Sequence, residues 1–364
     1  MRLLSKDPAG RSESAAELLQ ALNAIDPAET AAAHEEEQGS LDAMPAGVFV
    51  GRHREMDQLK AAYEEVLGGH GKMEALIDEP DIGKTRSAQE LATYANASGG
   101  QVLWGCSCEG GGAPPYWPWA QAICSYVATR DSEAIRCEMD SAASVIAEIV
   151  PDVKERLPDL PAPQQIDDPE SARFRLFDSI STFLKAASAT QPIVLMLEDL
   201  HWSDKPSLML LEFVARELAN SRIMIVGNYR DMELNRRHPL SITLGELSRL
   251  HLFERFLLRG LQRHDVRRFS EVAAGIEPPD LLVDVVHAQT EGSPLLVTET
   301  VRLLIQEGDI TAGSGATGGT SSWEARIPEG VRELIGRRLD RLSERCNDVL
   351  TTGQLSADNS ASAR

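Results

Sequence analysis

The sequence predicts an α/β protein built on a parallel sheet that is covered on both faces. Three observations carry that expectation. Five short apolar runs, at 73–77, 101–105, 193–197, 223–227 and 253–258, are separated by longer stretches with helical periodicity. Strands that alternate with amphipathic helices form parallel sheets between helical layers. The first run is followed at once by "DEPDIGKTRSAQEL", where a loop ends in Gly83-Lys84-Thr85 and a helix opens. Finally, 364 residues with 42% hydrophobic and 25% charged content form an ordinary globular composition, long enough for about two or three domains.

Taken in order, residues 1–25 read as a small helical unit. Ser14 and Glu17 form a capping box, and Leu18, Leu22 and Ile25 follow at helical spacing. Residues 26–46, with "AAAHEEEQGS", read as an acidic linker. The strand-and-helix alternation then occupies 47–260. One helix opens after Lys84, a second carries Phe174, Phe177, Ile180 and Leu184 on one face, and a third carries Leu208, Leu211, Val214, Ala215 and Leu218. Between the first two, "GGGAPPYWPWAQAI" interleaves prolines with Tyr116, Trp117 and Trp119. It is expected as an aromatic loop packed onto the sheet, in preference to one that covers a ligand. Residues 261–310 read as mostly helical and 311–322 as a flexible Gly/Ser loop. A further helical region at 323–350 holds the basic amphipathic "GVRELIGRRLDRLSERC", and 351–364 form a polar, aperiodic tail.

The charge balance narrows the function classes. With 36 basic against 56 acidic residues the net charge is −20, which argues against a broad nucleic-acid or anionic-membrane surface. No apolar run approaches the roughly 18 residues that cross a bilayer, and "MRLLSKDPAG" has no signal core, so a cytoplasmic location is expected. The pair Cys106 and Cys108 has no second pair or nearby histidine to complete a metal site. Reduced, partly buried thiols are expected there.

The chemistry concentrates at the ends of three strands. A helix that opens at Lys84 offers backbone N–H groups and the positive end of its dipole to phosphate. Lys84 can reach terminal phosphates and the Thr85 hydroxyl can ligate Mg²⁺. Alone, the tripeptide reads equally as an ordinary first helical turn. In "PIVLMLEDLHW" an apolar strand ends in Glu198-Asp199, two carboxylates at the edge of a parallel sheet where ligands bind. One acid can hold Mg²⁺ and the other can polarise an attacking water; two solvated turn acids are the plainer alternative. In "IMIVGNYRD" a third strand delivers Arg230 to the same edge, to sense a γ-phosphate or to pair with Asp231 on the surface.

Five motifs in order, "VFVGRHREMDQL", "DEPDIGKT", "VLMLEDLHWSD", "GNYR" and "TEGSPLLVTE", resemble the AAA-type, origin-recognition-like ATPase domain of STAND-like signal-transduction ATPases in bacterial multidomain regulators. The resemblance covers about residues 47–350. It implies a P-loop NTPase sheet in the order 5-1-4-3-2, a helical lid over 261–310 and the start of a winged-helix unit at 323–350. It also implies ATP and Mg²⁺ as ligands, slow hydrolysis in a nucleotide switch, fused or partner signalling domains, and a nucleotide-dependent oligomer. Carried over, Val50, Gly51 and Arg52 would lie against adenine and ribose. Pro80, Ile82, Gly83, Lys84, Thr85 and Arg86 would form the phosphate site, Glu198 the second Mg²⁺ ligand, Asp199 the water-polarising acid, Arg230 the γ-phosphate sensor and Pro294 the lid contact to the base. "LLSKDPAGRSESAAELLQAL" resembles the last helix of a serine/threonine kinase domain, with Asp7, Pro8 and Arg11 matching, but no other kinase motif is present.

The departures bear on activity. Asp78 and Asp81 stand where the family prefers glycine, Glu198 where it prefers aspartate, and Asn228 where threonine is common. At 4 Å a like-charge contact costs on the order of 4 kcal/mol at an effective dielectric of 20. Weakened ATP affinity is therefore expected, with a degenerate, non-hydrolysing scaffold as the alternative function.

Overall fold

The apolar runs form the strands of one sheet, and its inner strands bury consecutive residues on both faces. The strands are β1 (Lys72–Ile77), β2 (Gln101–Cys106), β3 (Ile193–Glu198), β4 (Ile223–Tyr229) and β5 (Phe253–Leu257). All pairings are parallel, and the order is β2-β3-β4-β1-β5. This is the expected 5-1-4-3-2 order read from the other edge, and the sheet with its flanking helices is the α/β, P-loop NTPase-like arrangement. The computed structural model describes residues 49–306 apart from 78–81, 110–111, 232–233, 236 and 276. The kinase-like segment, the acidic linker, Asp78, Pro80, Asp81, the Gly/Ser loop, the winged-helix region and the tail lie outside the described residues.

Two helical layers sandwich the sheet. Helices α1 (His53–Leu67) and α2 (Lys84–Ala97) cover one face, where Leu59, Tyr63, Val66, Leu91 and Ala95 pack on Leu76, Val194, Met196, Met224 and Val226. The opposite face takes the next sheet residues, Met73, Ala75, Leu195, Leu197, Ile223 and Ile225, which follows from the two-residue period of a strand. There the cover is α3 (Trp117–Thr129), α4 (Ser132–Met139), α5 (Ala143–Ile146), α6 (Asp152–Arg156), α7 (Pro169–Thr190), α8 (Lys205–Arg216) and α9 (Pro239–Leu247). Each fully buried Leu, Val, Ile, Phe or Met contributes about 1.5–3 kcal/mol.

The aromatic segment departs from expectation. Its prolines predict a loop, yet its second half is α3. Pro118 stands in the first helical turn, where its missing N–H costs nothing. From there Trp119, Ala122, Ile123, Tyr126 and Val127 recur at helical spacing and are buried. The expected packing holds: the Trp119 Nε1–H donates to the Ser207 carbonyl at 3.2 Å, and Tyr116 meets Phe177 edge-on at 6.0 Å between ring centroids.

Beyond β5, helices α10 (Arg263–Ala274), α11 (Asp280–Thr290) and α12 (Pro294–Gln306) enclose a small core of Leu261, Val266, Leu282, Val286, Val297 and Val301. A capping box of Gln262 and Asp265 starts α10. No helix among the described residues is long and apolar enough to cross a membrane.

Candidate functional site

Because the strands are parallel, β1, β3 and β4 deliver their carboxyl ends to one edge of the sheet. Helix α2 opens at that edge. Its N-cap is Gly83, at φ 90° and ψ 31°, a left-handed conformation that glycine adopts without a Cβ penalty. A helix start leaves its first N–H groups without helical acceptors, and glycine brings no side chain to cap them. Lys84 follows and is buried, at 9% exposure, while Thr85 is exposed.

Thr85 stands across the gap between α2 and the end of β3, close enough to the Glu198 carboxylate to act on it. Burial holds the Glu198 carboxyl above its usual range. The Thr85 hydroxyl opposes that shift, Asp199 adds to it, and the Asn228 amide opposes it in turn. Asn228, at 5% exposure, organises both acids. Its Nδ2 donates to Glu198 Oε1 at 3.3 Å, and its Oδ1 accepts from the Asp199 N–H at 2.8 Å. That second bond settles the backbone of Asp199, which sits at φ 54° and ψ 47°, in the left-handed region.

Past Asp199 a single 3₁₀ turn, Leu200–Trp202, closes against β4. His201 carries a fully buried side chain with Nε2 3.8 Å from Asp199 Oδ1. The sequence shows no carboxylate partner for this histidine, because the contact depends on the left-handed turn between the two residues. Arg230, at the end of β4, lays its guanidinium over the Trp202 ring, 5.0 Å from the centroid.

The remaining sequence candidates fall into two groups. Arg52, Gly83 and Pro294 come together: a Cβ placed on Gly83 would lie 3.8 Å from Pro294 Cγ and 4.0 Å from Arg52 Nη2. Gly51, at φ 74°, leads the Val50–Arg52 segment past the start of α10; a Cβ there would approach Asp265 and Leu261 to 2.9 Å. The Arg52 guanidinium donates to the Ile82 carbonyl and, at 3.2 Å, to the Arg259 carbonyl, so it ties the loop before α2 to the segment after β5. Ile82 itself is buried on the α1–α2 face. Arg86 instead turns along its own helix to Glu90, at 2.5 Å. Sequence reasoning treats Asn228 as a mere departure and misses Trp202. The alternation along β4, which puts residue 228 on the same face as Val226, is the available signal for the first.

The donor set suits a divalent cation. Mg²⁺ takes oxygen ligands, commonly one or two from the protein with water and phosphate supplying the rest. A hydroxyl beside a carboxylate that burial disfavours as an anion fits that pattern, since a cation there would offset the desolvation.

Comparison with known proteins places one family model on just under half of the chain. Residues 48–226 match the family model of the AAA ATPase domain. The AAA ATPase match takes in α1, Lys84, Thr85, Glu198 and Asp199, and ends inside β4, before Asn228 and Arg230. Among solved structures, a Pyrococcus horikoshii signal-transduction ATPase with numerous domains and a tetratricopeptide repeat sensor aligns at 12% identity and TM-score 0.44, over 84% of this chain and 34% of that one. This chain thus spans about a third of that protein's length. Thermotoga maritima RuvB aligns as several point variants. One gives 12% identity and TM-score 0.40 over 79% of this chain and 76% of that one. Another gives 12% and 0.38, over 72% and 66%. No curated protein matches the sequence.

Proposed function

We propose that this chain is an ATP-binding regulatory ATPase module, a nucleotide-dependent signalling switch that hydrolyses ATP slowly. The observation that carries this reading is the meeting, at one sheet edge, of the glycine-capped start of α2, with Lys84 and Thr85, and the acids Glu198 and Asp199 that Asn228 organises at the end of β3. It joins the two elements that a phosphate-and-metal site needs.

In this reading the Gly83 N-cap and the first turn of α2 cradle the phosphates, and Lys84 neutralises them. Thr85 and Glu198 would hold Mg²⁺, which when bound offsets charge on the phosphate oxygens. Asp199, fixed by Asn228, accepts a hydrogen bond from a water and takes its proton as the water oxygen attacks the γ-phosphorus. The bond from phosphorus to the β–γ bridging oxygen breaks, and ADP departs with that electron pair. Arg230 balances the charge that develops at the same edge. The lid reads the outcome through Pro294 beside Gly83 and through the Arg52 tie. ATP can move the lid only by binding one lid arrangement better than another. Partners are the fused or separate signalling domains, in a nucleotide-dependent oligomer, and direct DNA contact is not expected at a net charge of −20.

The second reading, a degenerate scaffold that binds nucleotide weakly without turnover, is favoured by one specific feature, the acids Asp78 and Asp81 in the phosphate loop. Calorimetry of ATP binding with and without Mg²⁺, on wild type and Thr85→Ala, tests the first reading. Mg²⁺ should strengthen wild-type binding by about tenfold or more and Thr85→Ala binding much less. Equal Mg²⁺ dependence in both proteins would contradict the assignment.

A further inference from the structure

The turn after β3 holds a feature that the nucleotide site does not use. Leu200 lies over Gly227 of β4, where a Cβ would come 2.5 Å from Leu200 Cδ1, so a larger residue at 227 would make the Leu200 side chain shift. The exit of the turn is pinned by a 2.6 Å hydrogen bond between the Ser203 and Ser107 hydroxyls, which ties it to the end of β2. Asp204 then caps α8 by accepting from the Ser207 N–H at 2.9 Å. The Trp202 N–H donates to the Asp199 carbonyl at 2.8 Å. Every residue from 199 to 204 is therefore held, apart from the half-buried Trp202 ring, whose outer face takes the Arg230 guanidinium at 5.0 Å. Its neighbour His201 contacts the same indole at 4.6 Å between centroids and stands 3.8 Å from Asp199.

We propose that Trp202 is the positioning residue of Arg230: its indole face fixes the guanidinium at the carboxyl edge of the sheet, within one turn of Asp199. The inference rests on the ATPase reading for what Arg230 does, and on geometry alone for where it is held. A tryptophan suits this task because its π-face attracts a cation. The stacked guanidinium loses the freedom of a long side chain.

The test uses the full chain as wild type, Trp202→Leu and Trp202→Phe, with Arg230→Lys to assign the Arg230 resonances. Two quantities are read: the ring-current displacement of the Arg230 side-chain signals by NMR, and the single-turnover rate of ATP hydrolysis alongside ATP affinity. Wild type should show displaced Arg230 signals that return to ordinary values in Trp202→Leu and stay partly displaced in Trp202→Phe. Hydrolysis should fall roughly three- to tenfold in Trp202→Leu and recover in part in Trp202→Phe, with ATP affinity changed less than the rate. A structural defect alone would lower melting temperature and rate in both variants without the partial recovery. Arg230 signals indifferent to Trp202→Leu, or an active wild type whose rate survives the loss of the ring, would overturn the proposal. A wild type no faster than Lys84→Ala would instead remove the ATPase reading and the role of Arg230 in transfer together. In that case the Arg230 signals still decide whether the indole holds the guanidinium.

Discussion

Glu74 offers the sharpest stability prediction. It lies at the centre of β1, 1% exposed, in register with Glu254 of β5. Burial, with help from Glu254, pushes its carboxyl from an ordinary 4.5 up to about 8, while Lys72 pulls modestly the other way. Lys72 is itself engaged by Glu65 at 2.7 Å, which weakens that pull. The folded chain therefore holds this proton more tightly than the unfolded chain does. Stability from this group is complete below pH 4.5 and is lost as pH rises from there through about 8. That interval, at about 1.36 kcal/mol per pH unit, amounts to about 5 kcal/mol in full and about 3 kcal/mol by pH 7. Glu74→Gln removes the titration while keeping the shape. Urea unfolding of both proteins between pH 5 and 8.5 should give a stability difference that shifts in favour of Glu74→Gln by several kcal/mol across the range. The absolute difference at any single pH also contains the cost of a buried amide, about 1–3 kcal/mol, so the slope is the quantity to read. Parallel stability curves for the two proteins would refute the argument.

Other outcomes follow from the site itself. Asn228→Ala removes both the restraint on Asp199 and the amide bond to Glu198, so hydrolysis should fall by roughly tenfold or more in stopped-flow phosphate release. Asn228→Asp should be worse, because it adds a third carboxylate beside two. Replacing both loop acids, Asp78→Gly with Asp81→Gly, should tighten ATP binding by roughly tenfold or more in calorimetry if the side chains face the phosphates. An unchanged affinity would mean that they point away.

Much of this is legible in the sequence, for identifiable reasons. The strands are, because runs such as Val194–Leu195–Met196–Leu197 bury on both faces and leave no alternation to misread. The order of the sheet comes from the family resemblance, and the sheet pairs accordingly. The grouping of Thr85 with Glu198 follows from parallel strands sharing a carboxyl edge. Four things are not legible. Helix α3 hides behind its prolines, because Pro118 signals a loop unless it is recognised as a first-turn residue. The bridging role of Asn228 needs the register of β3 against β4 and the left-handed backbone of Asp199. The Trp202–Arg230 contact joins residues 28 positions apart through a 3₁₀ turn that no periodicity announces. Arg52 likewise reaches two carbonyls that sequence spacing could not pair with it.

The central claim is that the edge formed by Lys84, Thr85, Glu198 and Asp199 turns over ATP. Single-turnover phosphate release, measured with enzyme in excess of ATP and with Mg²⁺, addresses it most directly when wild type is compared with Lys84→Ala. The account predicts slow but measurable release from wild type and a loss of roughly a hundredfold in the variant, since Lys84 is the buried cation at the start of α2. Equal release from the two proteins would contradict it.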